Sequence, residues 1–123
     1  MTNAKTNYAD IWLENGIIHV VNTQTHYTEE MVDQIIQERN EVRNGKEYPL
    51  LSYMQNFKSA TKKARERLLQ EDANEGITAM AVLSSSRLHI VYFNFMTTFY
   101  KMRLPVKMFT DKEKAITWLT KYN

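Results

Sequence analysis

Three histidines, at positions 19, 26 and 89, are the side chains here best suited to proton transfer or metal binding near neutral pH. No two of them have the i, i+4 spacing that places both imidazoles on one helix face for zinc. The chain has no cysteine, which removes disulfides, thiolate metal sites and a cysteine nucleophile. Asp33, Asp72 and Asp111 fall on predicted helices or caps, and their spacing implies no carboxylate pair. Gly16, Gly45 and Gly76 are each accounted for by a turn or a helix end, so no glycine loop cradles a phosphate. Hydrolysis needs a nucleophile, a base and an oxyanion site together. The pattern offers no such set. The expectation is a protein without catalysis, metal or cofactor, whose histidines are packing or surface residues.

Charge is equally restrained. Sixteen Lys and Arg against fourteen Asp and Glu give a net +2 over 123 residues. The one dense basic group, Lys58, Lys62, Lys63, Arg65 and Arg67, is joined by Glu66, Glu71 and Asp72. That reads as a solvated helix face and not as a track for nucleic acid. A membrane span needs about 20 predominantly apolar residues. The most apolar stretch, 88–102, is interrupted by His89, Asn94, Thr97, Thr98 and Lys101. The first ten residues lack the basic-then-apolar pattern of a secretory signal. A cytoplasmic protein with no integral membrane segment is expected.

The elements that must position any site follow from periodicity and punctuation. Asn15-Gly16, between apolar runs 9–13 and 17–21, predicts a tight hairpin, since both residues tolerate the positive φ of a type I′ turn. Residues 28–44 read as a helix: Thr28 is an N-cap, Glu29 and Glu30 suit the positive helix end, and Tyr27 can staple onto Val32. Met31, Val32, Ile35, Ile36 and Val42 form its apolar stripe, and Gly45 supplies the left-handed exit. Pro49 opens a strand over 50–54. Ser59 is expected to cap a second helix running to about residue 74, with Ala60, Ala64 and Leu68 inward. The run 77–83 reads as a strand buried on both faces. In 87–102, Leu88, Val91, Phe95, Phe99 and Met102 recur at helical spacing and favour a helix. A strand over 105–109 and a helix begun by Thr110-Asp111-Lys112-Glu113 close the chain. The order ββαβαβαβα predicts one α/β domain over 1–123, with a mixed, mostly parallel five-stranded sheet and four helices. Residues 1–8 are expected to form a flexible tail.

Three stretches carry a family resemblance: Lys46-Glu47-Tyr48-Pro49-Leu50-Leu51; Ala79-Met80-Ala81-Val82-Leu83 with the serine run and aromatic segment that follow; and Pro105-Val106-Lys107-Met108-Phe109-Thr110-Asp111 leading to Ala115 and Trp118-Leu119. With their order, the chain from about Trp12 to Tyr122 resembles the SpoIIAA-like branch of the STAS fold, the anti-sigma-factor-antagonist type. Its nearest likeness is to small bacterial proteins of STAS or CRAL-TRIO-like character. The resemblance implies a regulatory module that works through contact with a protein partner. It also implies a phosphorylatable serine at the start of the helix after the third core strand. The matching stretch is Phe57-Lys58-Ser59-Ala60-Thr61, which makes Ser59 the candidate phospho-switch.

The predicted helix over 87–102 is apolar beyond one stripe, with Ile90, Tyr92, Phe93, Met96 and Tyr100 outside it. Such a helix is deeply buried or contacts something else. Ile90, Phe93, Asn94, Met96, Thr98, Tyr100 and Trp118 are therefore the candidate interface, for a homodimer or another protein. The CRAL-TRIO side of the resemblance, with seven Met and twelve Tyr and Phe able to line a pocket, gives a second expectation. On it the same residues hold a small hydrophobic, lipid-like ligand.

Overall fold

The computed structural model describes residues 3–5, 8–87 and 104–123. The predicted helix over 87–102, and with it Ile90, Phe93, Asn94, Met96, Thr98 and Tyr100, lies outside the described residues apart from its first residue. Within them the chain runs β1 (Asn3–Lys5), β2 (Ala9–Glu14), β3 (Ile17–Asn22), β4 (His26–Tyr27), α1 (Glu29–Arg43), β5 (Tyr48–Tyr53), β6 (Ser59–Ala60), α2 (Lys62–Leu68), a 3-10 turn (Glu71–Asn74), β7 (Ile77–Leu83), β8 (Val106–Phe109) and α3 (Lys112–Thr120).

One sheet has the order β1-β2-β3-β5-β7-β8. The β2–β3 hairpin turns on Asn15 and Gly16, at φ 53° and 75°, and pairs Trp12 with His19. From β3 onward every pairing is parallel. This is the expected α/β arrangement of five long strands, with one correction at the start. Asn3–Lys5, expected within a flexible tail, adds a short antiparallel edge strand to β2.

The sheet's pleat sorts its residues onto two faces. Ile11, Ile18, Val20, Leu50 and Val82 join α1 and the α2 region in one core. Ile17, Leu51, Ala79 and Ala81 meet Ala115 and Leu119 of α3 in the other. Pro49 lies within β5 and has no N–H for the ladder. The pairing with β7 accordingly slips between Tyr48 and Leu50.

The caps explain where helices begin. Thr28 accepts from the Met31 amide, and α1 ends with Asn44 and Gly45 both at positive φ. Asp111, one residue after Thr110, caps α3 by accepting from the Glu113 and Lys114 amides.

The second helix is the main correction. It spans only Lys62–Leu68, and its cap is Thr61, whose hydroxyl accepts from Ala64 N at 3.1 Å. Ser59 sits before it in β6, which pairs in parallel with β4 as a separate two-stranded sheet, opposite His26. The helix stops because Asn74 Nδ2 donates to the Leu68 carbonyl at 2.8 Å, and the chain tightens into the 3-10 turn.

Candidate functional site

A cavity of about 110 Å³ lies between the sheet and the α1 and α2 regions. Val20, Leu50, Met80 and Val82 form its floor from three neighbouring strands, and Val32 and Ile35 of α1 face them. Tyr27 and Phe57, stacked with ring centroids 6.1 Å apart, belong to its wall. Tyr27 is anchored there by donating its hydroxyl to the Tyr8 carbonyl at 2.8 Å while accepting from Gln24 N at 3.1 Å. Burial raises the phenol pKa, against the pull of the Gln24 and Thr23 backbone. Leu68, Ala60 and Arg65 complete the side toward α2, where Arg65 Nη1 donates to the Ala60 carbonyl at 2.7 Å.

The α2 side is clamped by an ion triad that sequence spacing did not suggest. Arg67 Nε meets Asp33 Oδ1 of α1 at 2.5 Å, while its two terminal nitrogens grip Asp72 of the 3-10 turn at 3.1 and 3.0 Å. The Asp33 hydrogen bond, ahead of the Asp72 contacts, raises the guanidinium pKa. The triad joins α1, α2 and the 3-10 turn through Arg67, a member of the basic run that reads, in sequence, as a solvated face.

Besides Ser52 and Arg65, two polar side chains break the apolar lining. At the carboxyl end of β3, Asn22 Nδ2 donates to Ser52 Oγ at 3.1 Å and to the Tyr53 carbonyl at 2.9 Å. The other is Arg39 of α1, 5% exposed. One terminal nitrogen of Arg39 donates to the Ala73 carbonyl, while its Nε–H is buried without a hydrogen-bond partner. Burial first, then the neighbouring positive charges of Arg43 and Arg67, push its pKa down to about 10, so it stays charged at neutral pH. Holding that charge unpaired costs the fold about 3 kcal/mol. In a domain with only about 5–15 kcal/mol of net stability, that is a large penalty at one residue. The pocket beside it is mostly apolar and partly open to solvent.

Arg39 is the residue that sequence reading missed. It lies seven residues after Val32, four after Ile35 and three after Ile36, squarely on the apolar stripe. A cation at a stripe position was the available signal.

The expected site residues fare differently. Trp118 is placed on the opposite sheet face from the cavity, where its ring meets Phe109 at 5.7 Å and Tyr122 at 5.1 Å. Ser59 Oγ contacts His26 Nδ1 at 2.5 Å across the β4–β6 pair, with both residues exposed to water. Among the described residues no carboxylate orients that imidazole, and no cluster of three or more His, Asp or Glu is arranged to hold a metal.

His19, 4% exposed, is stacked on Trp12 at 5.0 Å and shares a 2.9 Å hydrogen bond with the Tyr53 hydroxyl. Burial lowers its pKa, Glu14 pulls it up and Lys112 pushes it further down. A lowered folded-state value means that this histidine supports the fold above pH 6.5 and withdraws that support as the pH falls below it. Urea melts are expected to show wild-type stability declining as the pH falls below 6.5, by at most about 1.4 kcal/mol per pH unit from this group. His19→Gln should flatten that decline. Parallel profiles for the two proteins would exclude the assignment.

Comparison with known proteins supports the architecture. A family model described as a domain of unknown function, DUF7793, matches residues 11–123. The crystal structure of an uncharacterized DUF3478-family protein with a SpoIIAA-like fold, from Shewanella loihica PV-4, superposes with a TM-score of 0.71. It covers 97% of this chain and 99% of its own at 16% identity, which is a likeness of fold. No curated protein sequence matches. No helix among the described residues is long and apolar enough to cross a membrane.

Proposed function

This chain belongs to the DUF7793 family and carries a SpoIIAA-like fold, and on that premise we propose that it is a non-catalytic binding module holding a small hydrophobic molecule between α1 and the sheet. The observation that carries the reading is the cavity itself: a concave, mostly apolar space between α1 and the sheet, in a fold that packs its other face tightly with Ala79, Ala81 and Ala115. The absence of catalysis is part of the proposal and is supported by the histidines. His26 and Ser59 touch in open water with no third group, and His19 is packed against an indole. The regulatory, protein-contacting and homodimeric role expected from the sequence rests chiefly on side chains outside the described residues. A cytoplasmic, regulatory use of the bound molecule fits the resemblance noted above.

The test is thermal denaturation with a neutral apolar probe. Hexanol at a hundred times its dissociation constant is expected to add about 2.7 kcal/mol to the wild type. In Val82→Phe, whose larger side chain enters the void, the gain should vanish while circular dichroism stays native. Ala60→Leu fills the same space from β6 and serves if the first variant misfolds. A wild type indifferent to every apolar probe sinks the reading.

A further inference from the structure

We propose that the cavity is specific for a small monocarboxylate, with the carboxylate received by Arg39 and a compact aliphatic tail lying over Val20, Leu50 and Val82. This rests on the reading of the cavity as a ligand site and names the ligand's chemistry. Arg39 is buried, lines the void and keeps its Nε–H unpartnered. Buried charges are otherwise found paired, and Arg67 close by shows how this chain pairs one, with Asp33 and Asp72. Among the described residues no carboxylate forms an ion pair with Arg39. The remaining residues, 1, 2, 6, 7 and 88–103, contain no Asp or Glu at all. The chain therefore has no acid of its own for this cation, and the complement must arrive from outside.

The rest of the lining limits what that acid is. A guanidinium fork suits the two oxygens of a carboxylate. Arg65, the other cation on the wall, already donates to the Ala60 carbonyl and is partly exposed. One buried cation favours a monoanion over a phosphate carrying close to two charges. The apolar floor rejects a polar tail, because each buried hydroxyl without a partner is penalised. The volume of about 110 Å³ is below the roughly 150 Å³ of a cavity that admits benzene. The tail is thus a short aliphatic chain of about the size of hexanoate, and the further carbons of a long-chain fatty acid find no room inside.

Calorimetric titration at pH 7 with hexanoate, hexanol and hexadecanoate decides the matter. In the wild type, hexanoate is expected to bind at least tenfold more tightly than hexanol, and hexadecanoate to bind no better than hexanoate. Arg39→Met should remove the preference for the acid, leaving hexanol affinity within about threefold, and Arg39→Lys should keep part of it. Arg39→Gln, which retains a donor, replaces Arg39→Met if that variant does not fold. Equal or tighter binding of hexanol by the wild type overturns the carboxylate proposal and leaves the apolar site standing. An acid preference that survives Arg39→Met overturns the role of Arg39. Hexadecanoate binding more tightly overturns the size limit, and no binding by any of the three overturns the site as well.

Discussion

Leu51→Ala is expected to cost about 3–4 kcal/mol and to lower the melting temperature by about 10–15 °C. Leu51 is fully buried in β5, paired across the sheet with His19 and Ala81, and turned toward α3. Its surroundings there are Ile17, Ala79, Ala81, Ala115 and Leu119, each at most 2% exposed. Alanines cannot swing into a vacated volume, so the void left by a leucine persists and its cost adds to the lost burial. Because Leu51 and the cavity are on opposite faces of the sheet, hexanoate affinity of the folded variant should stay within about twofold of wild type. Leu50→Ala, one residue away and on the cavity floor, should alter that affinity. Melts and titrations of the two variants separate the structural core from the ligand site. Equal effects on affinity would show that the two faces are not independent.

Arg39→Met is expected to do what few core substitutions do, and raise stability. Most buried changes destabilise by about 0.5–3 kcal/mol. Here the substitution relieves about 3 kcal/mol of unpaired, desolvated charge and forfeits one hydrogen bond to the Ala73 carbonyl worth about 1 kcal/mol. Methionine is flexible enough to occupy the same channel along α1. The net gain of about 1–2 kcal/mol corresponds to a melting temperature about 4–8 °C higher. Chemical denaturation should show the same gain as a higher midpoint with an unchanged slope. A lower melting temperature would mean that the guanidinium is satisfied in the fold, and the reason for an external anion would disappear. Together with the titrations, a rise would show a residue that destabilises the empty protein and serves its ligand.

Much of this architecture was legible from residue pattern alone, and the misses have physical causes. Asn15-Gly16, Thr28 and the α1 stripe act through local backbone geometry, which sequence states directly. Ser59 and Thr61 are two residues apart and both good caps. Which one serves depends on the β4–β6 pairing with His26, a contact spanning 33 residues that no local signal contains. The Arg67 triad likewise joins Asp33, 34 residues away, and Asp72 only after α1 and α2 have packed together. Arg39 was readable as a cation on an apolar stripe. That it lacks a carboxylate emerges only when the packing shows what surrounds it. Trp118 is carried by α3 to the sheet face opposite the cavity, a placement that depends on how the helix packs and not on its local sequence.

The Arg39 Nε–H itself reports most directly on whether an acid completes this site. In a ¹H–¹⁵N spectrum recorded over the arginine Nε region, a buried donor exchanges slowly with water and should give a resolved resonance in the free protein. Addition of hexanoate is predicted to move that resonance downfield as the charge-assisted hydrogen bond forms, with saturation matching the calorimetric affinity, and hexanol is predicted to leave it in place. A resonance unmoved by saturating hexanoate would contradict the account, because the acid would then be bound somewhere other than at the buried Arg39 guanidinium.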